Sequence, residues 1–350
     1  MIKQIFKTLV FVGLAILFLV MMHEFGFLKW NDITQAFARH PKTLLGVCLV
    51  QVVTAVVMML RYWKLLNLFG VESDLKSSST ATFVSTALGQ WFPGSLAIVE
   101  MMRVGLMFGV GSKSENSNKG MASGIKARLA IVSIVDRLVG FFGILFMGLI
   151  AALATMIFAV RDWGVFSLFL FSLLGVFALV ALPFVARHRW LKGFLKEKNS
   201  KALQTTVGEN RSRFDSLLLH IESLRHDIEA GTRHPRRLAG PILLSMLSLL
   251  LTSAALFMAA RSLSQSLNFF HILCVFPIVS LVSVLPLGFA GIGGYQLVMA
   301  SVFSVFAVSP SVVASAGLLQ SALLLVVNSL LGLAFLQTCS RQVRQALSVN

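Results

Sequence analysis

Long apolar runs, broken by short charged loops, set the pattern of this chain. Runs near 5–22, 43–62, 129–158, 164–186, 238–260 and 312–338 approach or exceed the roughly 18–20 residues that cross a bilayer as a helix. They predict six full membrane helices. Two further apolar stretches, 80–109 and 270–308, do not fit as simple spans. The first reads TALGQWFPGSLAIVEMMR through its middle and breaks at Pro93-Gly94. The second reads VSVLPLGFAGIGGYQLVM and breaks at Pro286, Gly288, Gly291, Gly293 and Gly294. Proline removes an amide donor and clashes with the preceding turn, and glycine admits conformations that other residues avoid. Non-helical backbone at membrane depth needs protein or water around it rather than lipid.

The charges between the runs assign sides. Lys3, Lys7, Arg61, Lys64, Lys76, the group from Lys113 to Arg128, the loop 187–237, Arg341 and Arg344 fall on one face. Lys29, Arg39, Lys42, Arg161 and Arg261 fall on the other. The basic face is the cytoplasmic one, which places both termini inside. On this layout 80–109 enters and leaves from the cytoplasm, and 270–308 enters and leaves from the outer face. The expected fold is therefore an all-α polytopic membrane protein, with about six full transmembrane helices and two broken re-entrant hairpins in inverted orientation, as in inverted-repeat transporters. Ordinary kinked helices in the bundle core are the alternative.

Composition agrees. Of 350 residues, 57% are hydrophobic and 13% charged, against about 25% charged in a soluble domain. The basic, apolar start MIKQIFKTLVFVGLAILFLVMM lacks a small-x-small cleavage site and reads as a retained first span rather than a signal peptide. Net charge +16 does not indicate nucleic acid, because 12 of the 30 Lys and Arg fall between Arg187 and Arg237. That loop contains NRSRFDSLLLHIESLRHDIEA, whose apolar residues recur at helical spacing and predict an amphipathic helix on the inner leaflet, under the bundle, or against a partner. Cys48, Cys274 and Cys339 are far apart in apolar sequence, and no CxxC or HExxH occurs, so neither metal nor cofactor is expected. Residues 1–340 read as one transmembrane domain, with the 187–237 loop inserted and 341–350 as a short cytoplasmic tail.

Ionisable groups inside a membrane are costly and single out candidate site residues. Glu100 and Arg103 follow the first break at i, i+3 spacing, on one helical face. Asp136 and Arg137 interrupt RLAIVSIVDRLVGFFGILF about two turns beyond Arg128. Pairing of Glu100 with Arg137, or of Asp136 with Arg103, neutralises charge. Either arginine facing a cavity would grip a phosphate through two parallel hydrogen bonds. The readings are compatible. Arg61, in RYWKLL at the cytoplasmic end of the second span, reads most simply as a snorkelling anchor, with contact to a headgroup as the alternative. In the second break, GFAGIGGYQ exposes backbone amides suited to an anion or to close helix packing, with Tyr295 and Gln296 as the polar side chains beside it.

At these residues the sequence resembles the transmembrane, flippase-type region of lysylphosphatidylglycerol synthases and their stand-alone relatives, over roughly 10–338. The family's Pro-Gly break, then an acidic residue, then Arg three positions on, is matched by Pro93-Gly94, Glu100 and Arg103. Its Asp-Arg pair is matched by Asp136-Arg137, and its Leu-Pro then Gly-x-Gly-x-x-Glu pattern by Leu285-Pro286 and Gly291-Ile292-Gly293. Gln296 stands where that pattern has Glu, and Ser95-Leu96-Ala97 where members are commonly glycine-rich. The resemblance implies movement of a lipid headgroup between leaflets. The expected function is a bacterial inner-membrane translocase for an anionic phospholipid or polyprenyl-phosphate-linked headgroup, with Arg103 and Arg137 binding the phosphate, Glu100 and Asp136 setting their orientation, and Gln296 and Tyr295 completing the substrate-binding set. The chain ends at Asn350, so the soluble aminoacyl-transferase domain of the bifunctional relatives, and lysyl transfer with it, is not expected. A membrane scaffold that recruits a lipid-modifying or glycosyltransferase enzyme through the 187–237 loop is the competing reading. An intramembrane transferase based on Glu100 and Asp136 is a third, which no DxD or His cluster supports. A second copy of the chain is a further candidate partner.

Overall fold

The computed structural model describes residues 30–71, 73–92, 95–111, 119–158, 235–263, 267–282, 288–289, 292–306 and 308–347, with isolated positions at Val20, Glu24 and between 167 and 177. The predicted amphipathic helix in 187–237, most of the spans predicted at 5–22 and 164–186, and Pro93, Gly94, Pro286 and Gly291 lie outside the described residues. The elements are α1 (Trp30–Arg39), α2 (Pro41–Leu68), α3 (Leu75–Gly89), α4 (Ser95–Gly111), α5 (Lys119–Phe158), α6 (Pro235–Ser262), α7 (Phe269–Val282), β1 (Gly288–Phe289), β2 (Ile292–Gly293), α8 (Gly294–Phe303) and α9 (Pro310–Leu347).

Among the described residues four helices are long and apolar enough to cross a membrane: Pro41–Leu68, Arg128–Ile157, Arg237–Ser262 and Pro310–Leu336. They coincide with four of the six predicted spans. Two elements differ from expectation. Residues 30–39, read as outer loop, form the helix α1, which turns Ala36 into the core. The second break is not plain coil. Gly288 pairs with Gly293 and Phe289 with Ile292 in a two-residue antiparallel ladder.

The ends of these elements follow from local chemistry. α2 stops at Phe69-Gly70, where Val71 N–H donates to Leu66 O at 2.9 Å and Gly70 N–H to Asn67 O at 3.2 Å. This Schellman closure needs a left-handed residue, and Gly70 supplies it at φ +68°. Asp74 then caps α3 by accepting from Ser77 N–H at 3.2 Å. α3 is rich in Ser and Thr, and Ser77 through Ser85 are buried, with Ser79 and Thr80 donating back to carbonyls of their own helix. A helix of this composition suits a protein-covered position and not one in lipid. The first break separates α3 from α4, limbs of 15 and 17 residues. At 1.5 Å per residue each is shorter than the roughly 30 Å hydrocarbon core.

The packing repeats with partners exchanged. α2 and α6 form the most extensive helix pair, and they run antiparallel: Gly46 faces Met258, Arg61 faces Ser245, and Gly240 faces Lys64. Of the first hairpin, α3 lies on α9 and α4 on α5. Of the second, α7 lies on α5 and α8 on α9. Each hairpin thus bridges α5 and α9, the first limb of each seated on the long helix of the other half. One apolar core gathers side chains of α2, α5, α6, α7, α8 and α9 around Val47, Ala152, Leu256 and Ile272. A second, smaller core joins α2, α3, α4 and α5 around Tyr62, Leu66, Met107 and Val132.

Candidate functional site: a buried arginine and carboxylate cluster

Beside the smaller core, three helices bring five charges together. α2 contributes Arg61, α4 contributes Glu100 and Arg103, and α5 contributes Asp136 and Arg137. Asp136 and Arg137 are consecutive, so their side chains point about 100° apart on the helix and serve different neighbours.

Asp136 turns toward α2. Arg61 Nε donates to its Oδ1 at 2.7 Å and Arg61 Nη2 to its Oδ2 at 2.9 Å, a two-pronged pair in which both residues are buried. The remaining nitrogen, Nη1, donates to Ser245 Oγ of α6 at 3.0 Å. Gly140, one turn beyond Asp136, leaves the space: a Cβ there would lie 3.3 Å from Arg61 Nη1. Arg61 is therefore not the interfacial anchor expected from its place in RYWKLL. The helix continues for a further two turns, to Leu68, with Tyr62, Leu65 and Leu66 fully buried, and the Arg61 guanidinium lies inside the bundle. A buried Asp136 needs a cation on the face that Arg137 cannot reach, and that requirement was the available signal for Arg61.

Arg137 turns toward α4 and donates to Glu100 through Nη2. Arg103 Nη1 donates to Glu100 Oε1 at 3.1 Å and lies 3.8 Å from Asp136 Oδ2. Its guanidinium also covers the Tyr62 ring, with Cζ 4.7 Å from the centroid, a cation–π contact that strengthens as water is excluded. Of the two predicted pairings, Glu100–Arg137 is direct, whereas Asp136 is held chiefly by Arg61 and only loosely by Arg103. The cluster holds three guanidiniums against two carboxylates, one net positive charge. Arg103 Nε and Arg137 Nε are buried without hydrogen-bond partners. Access is at one edge, where the Arg137 side chain is 27% and the Glu100 side chain 15% exposed. An anion at that edge would meet the partly exposed Arg137 guanidinium and positive potential, with the unused Nε donors lying behind it.

Gln296 and Tyr295 sit elsewhere. Gln296 Nε2 donates to Ser321 Oγ of α9 at 3.1 Å, and Tyr295 packs against the larger core. The first break is tied to the same helix. Gln90 Nε2 donates to Ser329 Oγ at 3.2 Å, and Asn328 Nδ2 donates to Gln90 Oε1 at 3.1 Å. Ser321, Asn328 and Ser329 recur over two turns on one face of α9, so both breaks converge on α9. Sequence reading did not anticipate this role for Gln90 and Asn328. Among the described residues, no group of three His, Cys, Asp or Glu side chains is positioned to hold a metal ion.

Comparison with curated proteins finds no match. The family model for the lysylphosphatidylglycerol synthase TM region matches residues 4–332, nearly the whole chain and both hairpins. With several membrane-length helices around a buried ionic cluster, this multi-pass membrane protein belongs to the lysylphosphatidylglycerol synthase transmembrane-region family.

Proposed function

We propose that the chain moves anionic lipid headgroups between the leaflets of a bacterial inner membrane, and that the cluster on α2, α4 and α5 binds the phosphate. The observation that carries this reading is the imbalance of three arginines against two carboxylates in a buried site whose open edge is Arg137. A network that closed its charge internally would leave no attraction for an anion. This one retains a positive charge and two unused guanidinium donors. A phosphate is planar-compatible with the guanidinium fork and would compete with Glu100 for Arg137 and Arg103. Asp136, clamped by Arg61, then sets the position of the site rather than contacting the lipid.

The limbs of both hairpins are too short to cross alone, and basic sequence flanks the first on both sides, which supports re-entry from opposite faces with both termini cytoplasmic. The acyl or polyprenyl chains stay in the bilayer while the headgroup crosses. The test is headgroup scrambling in proteoliposomes with fluorescent phosphatidylglycerol. The wild-type protein is expected to exceed empty vesicles. Arg137→Ala, which removes a charge-assisted contact of about 1.5–3 kcal/mol, lowers the rate about 10- to 100-fold. Wild-type activity equal to that of empty vesicles across a panel of anionic lipids would remove the proposal.

A further inference from the structure

The ionic cluster has an uncharged counterpart in the second half of the chain. α3 crosses α9 at Gly332, where an added Cβ would stand 2.1 Å from Ala87 Cβ, and α7 crosses α5 at Gly148, where it would stand 2.3 Å from Pro277 Cγ. Arg137 precedes Gly148 by 11 residues, and Ser321 precedes Gly332 by the same 11. Arg137 meets Glu100 from α4, and Ser321 meets Gln296 from α8. One position earlier, Asp136 reaches Arg61 on α2, while Gln320 Nε2 donates to Thr252 O on α6 at 3.0 Å. Three positions after Glu100 stands Arg103, and three after Gln296 stands Met299. The five charged positions Arg61, Glu100, Arg103, Asp136 and Arg137 thus correspond to Thr252, Gln296, Met299, Gln320 and Ser321.

This second constellation is not hydrogen-bonded to completion. The antiparallel register of α2 and α6, in which Gly46 faces Met258 and Arg61 faces Ser245, sets Gln51 level with Ser253, beside the Thr252 carbonyl that Gln320 reaches. Gln51 is 1%, Ser253 0% and Gln320 4% exposed. Gln51 Nε2, Ser253 Oγ and Gln320 Oε1 have no hydrogen-bond partner. Their neighbours Thr54 and Thr252 close their own hydroxyls on the carbonyls of Val50 and Ser248, so these two hydroxyls do not satisfy the three. Three unpaired polar atoms from three mutually packed helices at one level form a built site. A buried unpaired polar group costs about 1–3 kcal/mol, which favours an occupant.

We infer that Gln51, Ser253 and Gln320 form a second, uncharged ligand site that takes a neutral hydroxyl group, from water or from a glycerol headgroup. The set offers an amide donor, a carbonyl acceptor and a hydroxyl that does either, which a neutral O–H group matches at both its donor and its lone pairs. An anion finds no cation there, and a metal cation would face the Gln51 amide hydrogens. The site does not depend on what the ionic cluster binds.

The experiment is a double-mutant cycle on the full chain in detergent, reading the midpoint of thermal unfolding for Gln51→Met, Ser253→Ala and the pair. Both replacements keep side-chain volume near the original, so an empty site would gain stability from losing an unpaired group. An occupied site loses it instead. Each single variant is expected to lower the midpoint by about 2–4 °C, and the pair by less than the sum, because one shared ligand is lost only once. The same cycle with added phosphatidylglycerol, against phosphatidic acid as the control without the headgroup's alcohol hydroxyls, separates the sources. A loss present without lipid identifies water, and one that appears only with phosphatidylglycerol identifies the headgroup hydroxyl. Midpoints that rise, fall additively, or stay unchanged both without and with phosphatidylglycerol overturn the assignment.

Discussion

Asp136 and Glu100 are both carboxylates among arginines, yet their surroundings give them different work. Asp136 is enclosed and clamped through both oxygens by Arg61. Asp136→Asn leaves Arg61 buried with its charge uncompensated, and the expected loss is about 3–5 kcal/mol, read as a lower unfolding midpoint in detergent. Arg61→Leu combined with Asp136→Leu removes both charges and restores most of it. Glu100 lies at the open edge and shares Arg103 and Arg137. Glu100→Gln is expected to keep the fold and to free both guanidiniums, so the purified variant retains several-fold more anionic lipid by native mass spectrometry. Equal retention would show that Glu100 does not compete with the ligand. The Glu100–Arg137 pair was legible in the sequence, because two isolated charges in apolar runs must find each other. Arg61 was not, because an arginine near a span's end is ordinarily solvated, and only three-dimensional packing shows that α2 runs on past it.

Between elements, glycines set the distance of approach. Gly148 of α5 faces the rigid ring of Pro277, 2.3 Å from where a Cβ would stand, whereas a Cβ on Gly105 of α4 would meet nothing within 4 Å. The same change therefore has opposite signs at the two sites. Gly105→Ala is expected to stabilise by about 0.5–1 kcal/mol through helix propensity. Gly148→Ala pushes α7 off α5 and destabilises by about 1–3 kcal/mol. Thermal unfolding of the two variants side by side checks the pair, and equal signs would contradict the packing described. Apolar length was enough to place α2, α5, α6 and α9 from sequence, and Pro-Gly composition to place the breaks. α1 escaped because its ten residues, WNDITQAFAR, occupy a loop-length interval in which Trp30, Ile33, Ala36 and Phe37 recur at helical spacing over too few turns to stand out, and its one-sided burial against α2 and α9 exists only once those helices are assembled.

At the scale of the whole molecule, the exchange of hairpins between α5 and α9 is the feature a linear reading could not reach. The halves share little beyond their breaks, so equivalence resides in which helix seats which limb. If the chain works by moving one half against the other, α9 is the common support, since Gln90 at the first break and Gln296 at the second both grip it. Both grips are made of neutral hydrogen bonds, weak enough to exchange between two positions, unlike the two-pronged Arg61–Asp136 clamp that holds α2 to α5. Joining Gln90→Cys to Ser329→Cys with a short, reducible thiol crosslinker fixes the first hairpin to α9, after the chain's three native cysteines have been replaced. The side chains concerned lie 3.2 Å apart, so the linkage bridges a gap already closed in this conformation. Scrambling is expected to fall to the level of empty vesicles and to return on reduction. Full activity in the crosslinked protein would mean that the first hairpin stays fixed to α9 throughout, and that the headgroup passes without the hairpins parting from their common support.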